Sequence, residues 1–224
     1  MSNSLQFALS NPTAGMEDEF IHWYGAEHLS HALEIPGILA GQFFRRVKGP
    51  FPAGKHDFLM IWEFDDPTYA LQQLSLVKGG DKLPISPALD FANVQPPTLW
   101  LRATVRNAAR LATDTSERGS IVLGLFNAEA GEDDAFVNTV MRGVLTTLAD
   151  LPGVSAAHFM TLADEQIRGS ARKYRYGILV ELADEKTGLD ALAIPLATLP
   201  YADPERWLAP VFRPIGHRLT SDKK

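Results

Sequence analysis

Tyr24, His28 and His31 are the residues of this chain whose types and spacing most suggest chemistry. On a helix, positions i, i+4 and i+7 share one stripe, so a phenol and two imidazoles face the same way. An imidazole near its reference pKa both accepts and donates a proton at neutral pH. A neighbouring phenol can donate a hydrogen bond to a developing oxyanion or phenolate. The chemistry expected is therefore proton transfer, with His28 as general acid/base and Tyr24 and His31 as supports. The plain structural alternative is a partly buried helix histidine hydrogen-bonded to backbone. A metal is not expected, because His28 and His31 stand at i and i+3 and the sequence offers no evident third ligand.

The chain supplies its own control for this reading. Asn11, Gly15, Phe20, Leu29, Pro36, Gly37 and Phe43 recur 116 positions later as Asn127, Gly131, Phe136, Leu145, Pro152, Gly153 and Phe159. The segment 55–64 then matches 173–182 at an offset of 118, so the connection before it is two residues longer in the second copy. Later, Phe91 aligns with Trp207 and Arg102 with Arg218. Two copies of one unit of roughly a hundred residues are implied. A residue kept in both copies serves the fold, whereas a polar residue in one copy is a candidate for function. Tyr24, His28 and His31 become Val140, Val144 and Thr147 in the second copy, so packing alone is content with valine at the first two places.

The elements that must position this stripe are legible from periodicity. Leu5, Phe7 and Leu9 alternate with Gln6, Ala8 and Ser10, the signature of a strand with one apolar face. Asn11–Gly15 is a turn by composition, and Glu17, Asp18 and Glu19 open a helix where negative charge suits the dipole. That helix runs to about Glu34 and ends at Pro36-Gly37. Strands follow over 38–47 and 58–64, a helix begins at Asp66-Pro67, and a fourth strand covers 98–105 after a variable segment. The second copy reads as strand 120–126, helix 132–150, strands 153–162 and 173–182, helix 184–194 and a last strand near 211–219. The order in each copy is β-α-β-β-α-β, the ferredoxin-like arrangement. The expected architecture is α+β, with domains at 1–105 and 119–224 joined by a small, polar linker at 106–118.

The stretch Trp23-Tyr24-Gly25-Ala26-Glu27-His28-Leu29, followed by Pro36-Gly37 and a strand, resembles the EthD-like branch of the dimeric α+β barrel superfamily. Asn11-Pro12 with Gly15 and Asp18 with Phe20 share that resemblance, which covers the first hundred residues. Members pair two ferredoxin-like units so that their antiparallel sheets pack into one barrel, and a tandem chain can form that barrel within itself. The resemblance implies a pocket between the helices and the concave sheet, bordered by this stripe. It does not fix a reaction, since the superfamily is similar to monooxygenases, cyclases, isomerases, dehydratases and haem proteins. Ser30 and His31 replace the usual Pro-Asp continuation after the aliphatic residue.

Composition narrows the partners. A net charge of −6 without a Lys/Arg cluster argues against nucleic acid. There is no cysteine, hence no disulfide framework and no thiol nucleophile. No apolar run approaches the ~20 residues of a membrane helix, and no signal peptide is recognised, so a cytoplasmic protein is expected. Exposed sheet edges suggest a homodimer. Trp23, Phe7, Phe43, Phe58 and Trp62 belong to an aromatic set concentrated in the first copy, mostly core but with a share expected to line a ligand cavity. His22, His56, His158 and His217 default to surface or structural roles. Glu63 and Glu181, kept in both copies, are expected to be structural partners of Arg102 and Arg218. Nucleotide-binding and hydrolase signatures are absent. The function expected is a cofactor-independent enzyme acting on a hydrophobic carbonyl- or phenol-bearing small molecule, of isomerase, cyclase, lyase or monooxygenase type. The alternatives are a non-catalytic binding module, or a haem protein with His28 or His31 as axial ligand.

Overall fold

The computed structural model describes residues 3–107 and 118–221. In the first half, β1 (Ser4–Ser10) leads into α1 (Glu17–His22), which continues through a π turn at Trp23–His28 into α2 (Leu29–Leu33). Then come β2 (Ile38–Val47), β3 (Phe58–Phe64), α3 (Pro67–Val77) and β4 (Thr98–Arg106). The second half follows with β5 (Ile121–Ala128), α4 (Asp133–Thr139), a π turn at Val140–Val144, α5 (Leu145–Asp150), β6 (Val154–Leu162), β7 (Tyr176–Leu182) and α6 (Glu185–Ala197). It ends in β8 (Ala202–Leu208), β9 (Val211–Pro214) and β10 (Leu219–Thr220). Most of the expected linker, residues 108–117, lies outside the described residues.

Local chemistry accounts for the helix starts. Asp66 accepts hydrogen bonds from the backbone N–H groups of Thr68 and Tyr69 with Pro67 in the first turn, and Asp184 caps α6 through Thr187 N–H. β8 is the element that sequence reasoning missed. Asp203, Pro204 and Glu205 read as loop, and what makes a strand of this run is non-local pairing of Leu208 and Trp207 with Leu125 and Phe126.

The strands close into an eight-stranded antiparallel barrel in the order β2-β3-β1-β4-β6-β7-β5-β9, with β9 returning to β2. Two seams join the halves: β4 against β6, with Trp100 opposite Thr161, and β9 bridging β5 and β2, with Arg213 opposite Arg45. The architecture is the α+β barrel expected from the sequence, with both sheets supplied by one chain. Closure removes free edges from the barrel itself, and β8 and β10 flank it. Leu5, Phe7, Leu59, Ile61, Leu123 and Leu179 fill the barrel interior. The opposite faces of the same strands are also buried, under the helices of each half. β1 thus has two buried faces where alternation predicted one. No helix among the described residues is long and apolar enough to cross a membrane.

One end of the barrel interior holds a buried polar network. The Arg118 guanidinium donates to Glu63 at 2.7 Å and lies 3.2 Å from Glu181, while its backbone exchanges two hydrogen bonds with the Gln42 amide. Arg218 grips both oxygens of Glu63, and His158 bridges Glu181 and Thr104. The expected pairing is corrected at Arg102, which instead donates to the Thr161 hydroxyl. Gln42 and His158 occupy equivalent positions of the two halves, as do Glu63 and Glu181, and Arg118 sits between them. Burial alone would raise the Glu63 pKa, but Arg218 and Arg118 outweigh it and hold this carboxyl at about 2.

Candidate functional site

The helix between β1 and β2 is wound to place three rings around one imidazole. A π turn shifts the hydrogen-bond spacing from i+4 to i+5. Over Trp23–His28 this brings Trp23, five residues earlier, against His28 with ring centroids 4.5 Å apart, while Tyr24 stays adjacent at 5.1 Å. Trp62 on β3 approaches edge-on at 6.0 Å. The second half has a π turn at the matching place, so the turn itself belongs to the fold. What differs is its side chains, since Val140 and Val144 stand there in place of Tyr24 and His28.

Beneath this helix the two halves diverge further. Gln6, Ala8 and Ser10 on the helix-facing side of β1 correspond to Val122, Gly124 and Phe126 on β5. Matching registers confirm the correspondence, since Ser10 pairs with Phe58 and Phe126 with Tyr176. In the second half the Phe126 ring lies over Gly124, so closely that a Cβ there would come within 2.3 Å, and Trp207 stacks on it at 5.7 Å. In the first half the positions are small: Ala8 lines a cavity, and the buried Ser10 lies beside Tyr24, which stands where the second half has Val140. This face carries a cavity of about 70 Å³, in a recess with about 640 Å³ of empty space that opens to solvent. His28, Tyr24, Trp23 and Trp62 line its inner wall. Phe91, Lys78 and Arg168 line the solvent side, where Phe91 is 38% exposed. Ile167 and Arg168 come from the β6–β7 connection, the one that is two residues longer than its counterpart.

Burial sets the protonation states. His28 is held neutral, its pKa lowered to about 3 by desolvation, with His31 and Lys78 adding like-charge repulsion. His28 lines the cavity, and its Nδ1 is buried with no hydrogen-bond partner among the described residues. Burial also raises the Tyr24 phenol well above its ordinary value, keeping it protonated and able to donate; nearby Ser10 offsets part of that shift without a hydrogen bond of regular geometry. A neutral imidazole beside a protonated phenol can take a proton from a bound molecule while the phenol stabilises the oxygen that becomes negative.

A stability consequence follows with a definite sign. The unfolded chain binds a proton on His28 below about pH 6.5, whereas the folded chain excludes it until about pH 3. Stability is therefore intact above pH 6.5 and falls as the pH drops toward 3, by at most about 1.4 kcal/mol per pH unit. Between pH 7 and pH 4.5, His28→Phe should lose about 2 kcal/mol less stability than the parent, measured by urea unfolding. Equal losses in the two proteins would contradict the buried, neutral imidazole.

The other expected site residues are placed as follows. His31 lies one turn beyond His28, close enough to influence its charge, but does not line the cavity. Phe43 packs behind Tyr24 at 5.0 Å and Phe58 stacks on Phe43 at 5.7 Å, so both form the wall behind the lining. Phe7 is on the opposite face of β1, in the barrel interior. Phe91 belongs to the aromatic set of the first copy, a share of which was expected to line a cavity; Lys78, Ile167 and Arg168 were not foreseen, because they lie at element ends and in loops and meet only through the tertiary fold. The single signal in the sequence was the longer connection. Among the described residues no group of three His, Cys, Asp or Glu could hold a metal.

No family model matches the chain, and no curated protein matches it in sequence. Solved structures do. An anthrone oxidase-like protein superposes with a TM-score of 0.66 over 100% of this chain and 97% of its own, at 10% identity. A candidate monooxygenase from Fusobacterium nucleatum gives 0.59 over 99% and 98%, also at 10% identity. A candidate chlorite dismutase gives 0.57 over 96% and 95%, at 9% identity. These likenesses span the whole chain, both halves included, and they establish the fold.

Proposed function

We propose that this chain is a cofactor-independent enzyme that moves a proton on a hydrophobic, carbonyl- or phenol-bearing small molecule held in the cavity of its first half. The observation that carries the reading is His28, a neutral imidazole in the wall of an apolar cavity, at a place where the second half has a valine. On this reading the chain is a tandem duplication of an EthD-like unit, in which one copy keeps chemistry and the other completes the barrel.

The substrate's apolar body packs between Trp23 and Trp62. His28 accepts a proton from a C–H activated by an adjacent carbonyl, and the electron pair moves onto the carbonyl oxygen, where the Tyr24 hydroxyl donates to the resulting enolate. The imidazolium so formed is unstable in this surrounding, so it returns its proton readily. Return to a different carbon gives isomerisation or cyclisation; capture of the enolate by dioxygen gives oxygenation. The anthrone oxidase-like neighbour makes anthrone a sensible first probe, since its C10 hydrogens are acidified by the carbonyl. Oxidation would consume one dioxygen per anthrone and yield anthraquinone and one water.

Exchange of the C10 hydrogens in deuterated buffer is the test, with oxygen uptake read in parallel. Replacing His28 by phenylalanine should slow exchange by about 100-fold or more, the scale of general acid–base catalysis. Uptake of oxygen alongside exchange would indicate the oxygenase route, and exchange alone the isomerase or cyclase route. Equal rates for parent and variant would sink the assignment of His28.

A further inference from the structure

The solvent side of the cavity carries an unusual pair. Lys78, at the end of α3, and Arg168, from the other half of the chain, flank the ring of Phe91 at 4.8 and 3.8 Å from its centroid. Both line the cavity and both are partly buried. Arg168 donates one hydrogen bond, to the Phe91 carbonyl at 2.6 Å, and the rest of its guanidinium fork is not engaged by any described carboxylate. Neither cation has a carboxylate partner among the described residues, although acidic residues outnumber basic ones in the chain, 27 to 21. No carboxylate lines the cavity. Two like charges drawn together without a counter-ion are costly, and the facing Arg168 adds to burial in pulling the Lys78 ammonium below its usual range.

We infer that the cavity takes an anionic ligand: an aromatic or polycyclic body against Trp23 and Trp62, with a carboxylate or ionised enol oxygen held by Lys78 and Arg168 at the Phe91 wall. This inference rests on the cavity being a small-molecule site, and it adds the ligand's charge class. A planar guanidinium and an ammonium lining one wall of the same cavity can each donate to an anion there. The same arrangement gives the second half a role in the site. Its longer β6–β7 connection delivers Arg168 to a pocket whose remaining walls come almost wholly from the first half, so neither half alone provides the complete anion seat.

The test compares 2-naphthoate with 2-naphthamide, which share a ring system and differ in charge, by titration calorimetry on the full chain. The parent should bind the naphthoate about 10- to 100-fold more tightly, as expected for charge-assisted hydrogen bonds in a partly buried setting. That advantage should shrink as salt is raised. The double variant Lys78→Met, Arg168→Met should bring naphthoate affinity down to that of the amide, with amide binding serving as the check that the cavity persists. Equal affinity of both compounds for the parent would overturn the anion seat while leaving the cavity as a binding site. Binding of neither would overturn the cavity reading and the inference together.

Discussion

Replacing Arg118 by methionine should destabilise the protein by about 3–5 kcal/mol, the usual consequence of removing one partner from a buried ionic cluster. For a chain of this size that corresponds to a melting temperature lower by on the order of 10 °C. The reason is geometric. Arg118 touches both Glu63 and Glu181, and its backbone is fixed by Gln42, so its loss leaves two buried carboxylates short of positive charge. Arg102→Met is the control, because Arg102 donates only to Thr161 on the exposed side of the β4–β6 seam and should cost less than about 1 kcal/mol. The difference should narrow in acid. Glu63 keeps its charge down to about pH 2 in the folded state, against about 4.5 when unfolded, so the network's contribution is complete above pH 4.5 and fades below it. Similar melting temperatures for the two variants at pH 7 would remove Arg118 from its place at the centre of the barrel end.

The second large effect concerns the cavity. Ala8→Gly with Ser10→Phe copies the filled arrangement of the second half, where the ring at position 126 lies over Gly124. The pair must be changed together, because a phenylalanine at 10 would otherwise press on the Ala8 methyl as the Phe126 ring would press on a Cβ at 124. Tyr24→Val is added, because Tyr24 lies beside Ser10 where the second half has Val140; with it the variant should keep its fold, since it reproduces a packing this architecture already holds. Its affinity for 2-naphthamide should fall by at least about 100-fold, on the scale of losing an aromatic ring's burial. Undiminished affinity in a variant that melts normally would place the ligand elsewhere.

Much of the fold was open to sequence reasoning, for identifiable reasons. The first strand alternates in sequence, Asp66-Pro67 announces a helix start, and the duplicated pattern fixes the same order of elements twice. The Tyr24–His28 pair was also legible, because i and i+4 remain neighbours whether the helix winds as α or π. The proximity of Trp23 was not, since five-residue spacing points elsewhere on an α-helix and only the π turn folds it over His28. Arg118 was hidden inside a segment that reads as linker, and β8 inside a run containing Pro204. Lys78 and Arg168 are brought together by barrel closure alone, which no local pattern encodes. The contrast between Ser10 and Phe126 was present in the aligned copies from the start. It became informative once the strand register showed both side chains pointing under their helices.

The central claim is that His28 is a neutral imidazole facing a ligand cavity, and nitrogen NMR of the histidine-labelled chain tests it most directly, with His28→Phe supplying the assignment. Without ligand, the His28 ring nitrogens should show one neutral form from pH 8 down to pH 5. Adding 2-naphthoate should shift them strongly, toward the protonated form if the anion reaches the ring. A free titration near pH 6.5, with no response to a ligand that calorimetry shows to be bound, would contradict the account.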